Sequence, residues 1–248
     1  MFVAELRFVA PASDEVAELI DFLLSALRQN GQVCGDEFAV VYHDAAYSVR
    51  ALIPAYDALD SAHNNFYVER DLAKLRTAGV DEPTIRVLDR EAMSANECDC
   101  SAPAAYILYT TYGSLESPLR CGDCFLPLPL YRIPPTYDHE YYDIMGWQSD
   151  YQACDHLWMN DHTLVRATYR QLAKPDSSLA RQGRAICHKI QLSSGIPTYY
   201  YLFHFTSPQA RLFVKGCPEC GNNWRLAEPW HDLFDLRCDH CLLLARLV

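Results

Sequence analysis

The sequence has no long apolar run, because charged residues interrupt every stretch before it reaches the roughly 18–20 residues that a bilayer-spanning helix needs. Residues 1–7 also lack the basic region followed by an apolar block that marks a secretory signal. We therefore expect a cytoplasmic protein. In that reducing compartment, closely spaced cysteines predict metal ligands rather than disulfides, which directs attention to the 11 cysteines.

Motifs of known catalytic chemistry are also missing. The nine histidines form no His-Glu-x-x-His pair, and no His-x-Glu precedes a cysteine pair as it does in zinc deaminases. There is no glycine-rich phosphate loop, no Gly-x-Ser-x-Gly elbow and no dinucleotide fingerprint. The sequence therefore predicts a protein that is not an enzyme, with no catalytic residues and no organic cofactor.

Basic residues are scarce. The chain has 21 Lys and Arg against 32 Asp and Glu, a net charge of −11, distributed as −16 over residues 1–161, +7 over 162–215 and −2 over 216–248. A nucleic-acid-binding protein gains affinity by neutralising phosphates, which this balance disfavours. A partner protein with a basic surface is the better match.

The first ninety residues alternate between strand and helix patterns. Ser13 is placed to cap a helix whose apolar residues Val16, Leu19, Ile20, Leu23 and Leu24 recur at helical spacing. The order strand, helix, strand, strand, helix, strand predicts a ferredoxin-like βαββαβ sandwich.

Helices and aromatic residues characterise the next part of the chain. A long helix is predicted over residues 141–159, with an interruption near Gly146, and a strand over 199–205. Trp147, Tyr151 and Trp158 share one helix face, which indicates either a core position or an aromatic protein interface. The basic residues of 162–215 either pair with the acidic part of the chain or track phosphate.

The strongest chemical signal is Cys217-x-x-Cys220 followed, after seventeen residues, by Cys238-x-x-Cys241. Two such knuckles aim four thiolates at one tetrahedral ion, which predicts a zinc ribbon. Four thiolates leave no open position for a water or a substrate, so the predicted role of the metal is structural.

A second zinc site is predicted from Cys98-x-Cys100 and Cys121-x-x-Cys124. Its first half is the less common Cys-x-Cys arrangement, and a variant would recruit Cys154 or His156. The alternative is that these four cysteines are loop and core thiols. Cys34 and Cys187 stand alone, as small buried hydrophobic residues do.

Together these patterns predict an α+β protein in three domains. The first is the ferredoxin-like domain of residues 1–92, and the second is a mixed helical and strand domain of residues 93–215 that carries the possible second zinc site. The third is a zinc ribbon of residues 216–248.

The motifs at residues 117–124, 129–134, 154–159 and 217–241 resemble an uncharacterised bacterial family described as zinc-ribbon-containing, for which nucleic-acid binding has been suggested. The resemblance covers residues 95–248, while the first ninety residues match more loosely. The resemblance implies that Cys217, Cys220, Cys238 and Cys241 of this chain are zinc ligands. Similar proteins occur beside secreted antibacterial toxins, nucleases among them, so the resemblance also allows an immunity role.

The functional expectation combines the charge with this resemblance. We expect a non-enzymatic, zinc-stabilised acidic protein that binds a basic partner, most specifically a nuclease toxin whose DNA-binding cleft it covers. The alternative is a nucleic-acid-binding regulator that uses the ribbon and the basic stretch of residues 162–215.

Overall fold

The computed structural model describes residues 1–203 and 216–247, which form two compact units. Unit 1 comprises Met1–Glu97, Leu115–Ser117 and Pro127–Tyr142, and unit 2 comprises Cys98–Ser114, Pro118–Leu126 and Asp143–Val248. Each unit combines helices with a β-sheet, which confirms the predicted mixed α+β class. Among the described residues, no helix has both the length and the apolar character that crossing a membrane demands.

Unit 1 contains a four-stranded antiparallel sheet and two helices. Its elements are β1 (Phe2–Val9), α1 (Asp14–Gln29), β2 (Val40–His43), β3 (Ala46–Ile53), α2 (Phe66–Thr77) and β4 (Thr84–Arg90). The strand order is β2-β3-β1-β4, so β1 is paired on both sides. Leu6 at its middle lies opposite Val49 of β3 and Ile85 of β4.

Short local signals set the limits of these elements. Ser13 Oγ accepts a hydrogen bond from Val16 N at 3.5 Å, and Asn65 Oδ1 accepts one from Val68 N at 3.0 Å. Both helices therefore begin at a side-chain cap. Asp44 and Ala45 both have positive φ, 51° and 54°, as a tight turn between β2 and β3 requires.

The core of unit 1 lies between its sheet and α1. From the helix, the predicted stripe residues Val16, Ile20, Leu23 and Leu24 are buried, and Leu19 packs partly buried beside them. From β1, Ala4, Leu6 and Phe8 belong to the same hydrophobic cluster. The apolar side chains that recur every 3.6 residues along the helix thus pack against those that recur every second residue along the strand.

A buried carboxylate on α2 makes the stability of unit 1 depend on pH. Asp71, 1% exposed, accepts hydrogen bonds from Arg70 Nε at 3.0 Å and from Lys74 Nζ at 2.7 Å. Burial alone would raise the pKa of Asp71, but the bonds from Arg70 and Lys74 outweigh it and hold that pKa below 3.8.

We expect this carboxylate to stabilise the fold at neutral pH and to lose that contribution as the pH falls below about 4, because the unfolded chain then binds the proton first. Urea unfolding at a series of acidic pH values measures the slope. Asp71→Asn should flatten it, whereas the control Asp81→Asn, in the exposed segment before β4, should keep it. An unchanged slope in Asp71→Asn would contradict the assignment.

Within residues 98–114, 118–126, 143–203 and 216–247, unit 2 contains a six-stranded mixed sheet and three α-helices. Its elements are β5 (Tyr106–Leu108), β6 (Leu119–Cys121), α3 (Tyr142–Asn160), α4 (Val165–Ala173), α5 (Ser178–Ser194), β7 (Thr198–Tyr201), β8 (Arg225–Trp230), β9 (Phe234–Cys238) and β10 (Leu243–Ala245). The strand order is β6-β5-β7-β10-β9-β8. β7 pairs in parallel with both β5 and β10, and the other pairs are antiparallel.

Strands from the second and third predicted domains share this sheet, since β10 pairs with β7. The division into three domains stays a prediction. Two details differ from expectation. α3 runs through Gly146 as one helix, because its neighbouring turns tolerate a single glycine. β7 ends at Tyr201, short of the predicted strand limit at residue 205, and residues 204–205 lie outside the described part of the chain.

The core of unit 2 forms where α3 and α5 pack with β7. Trp147 and Tyr151 of α3 are buried, and Tyr200 contacts the Trp147 ring edge-on with centroids 5.9 Å apart. Gly183 of α5 faces this pair, and a Cβ there would lie 2.3 Å from Tyr200 Cε2 and 2.7 Å from Trp147 Nε1. Trp147 and Tyr151 are therefore core residues, while Trp158 is partly exposed.

Candidate metal centres

Two groups of four cysteines come together in unit 2, each with its ligand atoms within 4.8 Å of one another. The first consists of Cys98, Cys100, Cys121 and Cys124, and the second of Cys217, Cys220, Cys238 and Cys241. We call them the N-terminal and the C-terminal tetrad. They are the groups that the sequence pattern predicted.

Both tetrads lie at the same end of the sheet. Cys121 at the end of β6 is opposite Tyr106, the first residue of β5, and Cys238 at the end of β9 is opposite Leu243, the first residue of β10. Because β5 and β10 both run parallel to β7, all three strands begin at the same end of the sheet. The strands β5, β7 and β10 lie between β6 and β9, and the two tetrads share no ligand.

The knuckle of the N-terminal tetrad is a tight turn that closes on β5. Phe125 N donates to Cys121 O at 2.9 Å, and Gly122 N donates to Ala105 O at 2.7 Å. A Cβ at position 122 would lie 2.7 Å from Ala105 O, so only glycine permits this approach. Asp123 N lies 3.4 Å from Cys121 Sγ and donates to that sulfur.

The C-terminal tetrad has a similar construction. Cys217 N donates to Asn222 O at 2.8 Å, and Gly221 N donates to Cys217 O at 2.8 Å with Gly221 at φ 73°. Cys241 N donates to Cys238 Sγ at 3.4 Å, and the sulfurs of Cys220 and Cys238 are 3.7 Å apart. In both tetrads two thiols are buried and two are partly exposed.

The thiols of a tetrad cannot all ionise without a cation. Burial raises the pKa of Cys98. Burial would also raise that of Cys121, but hydrogen bonds from the backbone N–H groups of Cys124 and Asp123 lower it. In the C-terminal tetrad the backbone N–H of Asn222 lowers the pKa of Cys220. Each tetrad thus has one sulfur whose pKa is lowered, and a bound metal would supply the charge that ionises the other thiols.

The donor set fits Zn²⁺. Four cysteine sulfurs in a closed group are what a tetrahedral structural zinc site requires, and soft thiolates disfavour Mg²⁺ and Ca²⁺. Cys154 and His156, on α3, belong to neither tetrad. Cys34 and Cys187 also lie outside them, and burial raises the pKa of both thiols, that of Cys34 to about 12.

Side chains around the C-terminal tetrad contact the residues inside its two knuckles. Arg184 Nη1 of α5 pairs with Glu219 Oε1, between Cys217 and Cys220, at 3.0 Å. Asp239, between Cys238 and Cys241, accepts hydrogen bonds from Tyr199 Oη at 2.6 Å and from Arg237 Nε at 2.5 Å. Such partners fix ligand orientation in metal sites.

A contact also joins the C-terminal hairpin to the N-terminal tetrad. His231, in the turn between β8 and β9, donates through Nε2 to Gly122 O at 2.8 Å, and its ring stacks on Phe125 and Trp230. Sequence reasoning missed these supporting residues, because the partners His231 and Gly122, or Arg184 and Glu219, are far apart in the chain. No spacing signal could have revealed them.

Family models match three parts of the chain, each described as a domain of unknown function: DUF8589 over residues 1–89, DUF2310 over 100–203 and DUF8594 over 208–248. A candidate antibiotic biosynthesis monooxygenase from Deinococcus radiodurans matches with 14% identity and a TM-score of 0.28, covering 38% of this chain and 97% of that one. A likeness of this size carries no argument about fold or activity.

Two relatives come from Haemophilus influenzae, and both are described as uncharacterized proteins. One is 37% identical over 149 residues, covering 59% of this chain and 73% of the relative. The other is 32% identical over 256 residues, covering 100% of this chain and 98% of the relative. Because that identity extends along the whole of both chains, the protein belongs to the same family as this second relative.

Proposed function

We propose that the protein is a non-enzymatic binding protein, stabilised by two structural zinc ions, that neutralises a basic protein partner, most specifically a nuclease toxin. In this proposal unit 1 is a ferredoxin-like sandwich, which its element order and the strand order β2-β3-β1-β4 support. The segment of β8, β9 and β10 with the C-terminal tetrad is a zinc ribbon.

The closed tetrads are the observation that carries this proposal. Among the described residues, they are the groups of three or more His, Cys, Asp or Glu side chains that could hold a metal. Each supplies four thiolates, so a tetrahedral ion bound there keeps no position for a substrate or an activated water. The metal then contributes folding free energy, and in this proposal the protein surface binds the partner.

An acidic surface on unit 1 suits a basic partner. The exposed residues Asp14, Glu18 and Asp21 follow one face of α1, with Glu15 beside them. Near the end of the helix, a groove of about 390 Å³ is lined by Asp21, Asp36 and Glu37. Arg28 also lines the groove, and its guanidinium pairs with Asp36.

An apolar side chain lies within this acidic face. Phe22 is 48% exposed although it is large and hydrophobic, and Phe38 lines the adjoining groove. Phe38 is partly buried against the core of unit 1, and the Lys74 ammonium lies 5.8 Å from the Phe22 ring centroid, so Phe22 is the exposed aromatic residue here. An exposed aromatic residue surrounded by charged ones is typical of an interface centre with a polar rim. Carboxylates at this rim would steer a cationic cleft towards the helix, and Phe22 would then be buried in the complex.

The test uses a basic nuclease, in the first instance one encoded by a gene adjoining the gene for this chain. The full-length protein should bind it and protect DNA from cleavage. Glu18→Gln/Asp21→Asn should weaken binding about tenfold, mainly through slower association. The matched double variant Asp60→Asn/Asp81→Asn, which removes the same charge from exposed positions elsewhere in unit 1, should bind almost normally. Absence of any complex at low salt would refute the proposal, as would equal losses in both variants.

A nucleic-acid-binding regulator is the second candidate. It is favoured by the exposed arginines Arg166 and Arg170 of α4 and Arg181 of α5. Two cations of the basic stretch instead have partners within unit 2: Arg184 pairs with Glu219, and Lys189 pairs with Asp143 at 2.7 Å. The part of this stretch in residues 204–215 lies outside the described residues. Retention of an oligonucleotide at physiological salt would favour this candidate over the first.

A further inference from the structure

A cavity of about 380 Å³ opens beside the C-terminal tetrad. It lies between α5, β7 and the second knuckle, with Cys187, Thr198 and Leu242 among its lining residues. Cys241, a member of the tetrad, also lines it. Its volume falls in the range of small-molecule sites, about 300–1,000 Å³.

Basic side chains dominate the polar lining. Arg181, Arg184 and His188 all contribute to the cavity wall. They are spaced i, i+3 and i+7 along α5, which places them on one face of the helix. The described lining contains no carboxylate, while Gln191 and Thr198 add neutral hydrogen-bonding groups.

The two arginines differ in their ion pairing. Arg184 forms an ion pair with Glu219 of the first knuckle at 3.0 Å, so the Glu219 carboxylate already balances its charge. Within the described part of the chain, Arg181 has no ion pair, although it lies one turn away on the same face. An arginine presents its donors in a planar fork that matches phosphate oxygens.

From this arrangement we propose that the cavity binds a small phosphate-bearing anion. Arg181 and His188 contact the phosphate, and Arg184, held by Glu219, forms the side of the site nearest the tetrad. The limited volume favours a free phosphate group or a phosphomonoester over a continuous polymer. This site is independent of the acidic surface of α1 and of the proposed partner.

The test measures binding of inorganic phosphate, adenosine monophosphate and a short single-stranded oligonucleotide to the full chain by titration calorimetry at constant ionic strength. Phosphate and the monophosphate should bind, and Arg181→Gln or His188→Gln should weaken both about tenfold, as expected when a charge-assisted hydrogen bond is lost. The matched control Arg166→Gln, an exposed arginine of α4 outside the cavity, should bind as the unmodified protein does.

Three outcomes would overturn the site. One is no binding of either small phosphate at millimolar concentration. A second is binding of the oligonucleotide alone, which would indicate a surface that tracks the nucleic-acid backbone. A third is loss of metal from Arg181→Gln without any phosphate binding, which would show that the arginine only balances the charge of the tetrad. Metal analysis of each variant separates the last outcome from the others.

Discussion

Cys238→Ser should lower the bound metal from two ions to about one per chain and destabilise the sheet of unit 2. Cys238 is buried, ends β9 and lies opposite Leu243 of β10, which itself pairs with β7. Structural zinc contributes an apparent ~10–16 kcal/mol in isolated zinc-finger peptides, and this binding energy is folding energy. A tetrad that loses one thiolate should therefore release both its ion and the adjoining strands.

The measurement combines metal analysis with thermal unfolding. Cys121→Ser should likewise remove one ion, because the two tetrads are separate groups with no shared ligand. The control is Cys154→Ser, which makes the same chemical change on α3 outside both tetrads and should retain two ions. Full metal content in Cys238→Ser, or a metal-free protein that stays folded after chelation, would contradict a structural role.

Gly183→Ala should destabilise the protein by about 3 kcal/mol, at the upper end of the range for overpacked cores. In most helix interiors the same change is favourable, because alanine has the higher helix propensity. Here the new methyl group would lie 2.3 Å from Tyr200 Cε2 and 2.7 Å from Trp147 Nε1. Both rings are fully buried, so neither can move aside without disturbing the contact between α3, α5 and β7.

Gly146→Ala is the matched control for this effect. Gly146 also lies inside a helix, α3, but a Cβ there would meet nothing within 4 Å. It should stabilise the protein by about 0.5–1 kcal/mol, as helix propensity alone predicts. Chemical unfolding of the two variants should thus give changes of opposite sign. Changes of the same sign would show that packing around Gly183 is not the deciding factor.

Local patterns served well where neighbouring residues determine the structure. The predicted cap at Ser13 depends on residues a few positions apart, and it appears in the structure. The cysteine knuckles are equally local, since two residues between cysteines suffice to aim both sulfurs at one ion. In each tetrad, the two halves are cysteine pairs that follow one another along the chain.

Patterns were less informative where a distant contact decides the outcome. An interruption of α3 was expected at Gly146, yet the consequential glycine is Gly183, whose lack of a side chain admits Tyr200 and Trp147. From the sequence, the basic residues of α5 indicated a net charge, but not which of them pair with a carboxylate. The structure gives Arg184 a partner in Glu219 and leaves Arg181 beside a cavity.

The amino-acid sequence by itself indicated the α+β class, the helix cap at Ser13 and the eight cysteines of the two tetrads, because each of these patterns depends on spacings of a few residues. Only the tertiary structure shows that both tetrads lie at one end of a single sheet and that His231 donates a hydrogen bond to Gly122 O. It also shows that Arg181 and Arg184 of α5 line a cavity. Those arrangements join residues that are far apart along the chain, and only the pairing of strands brings them together.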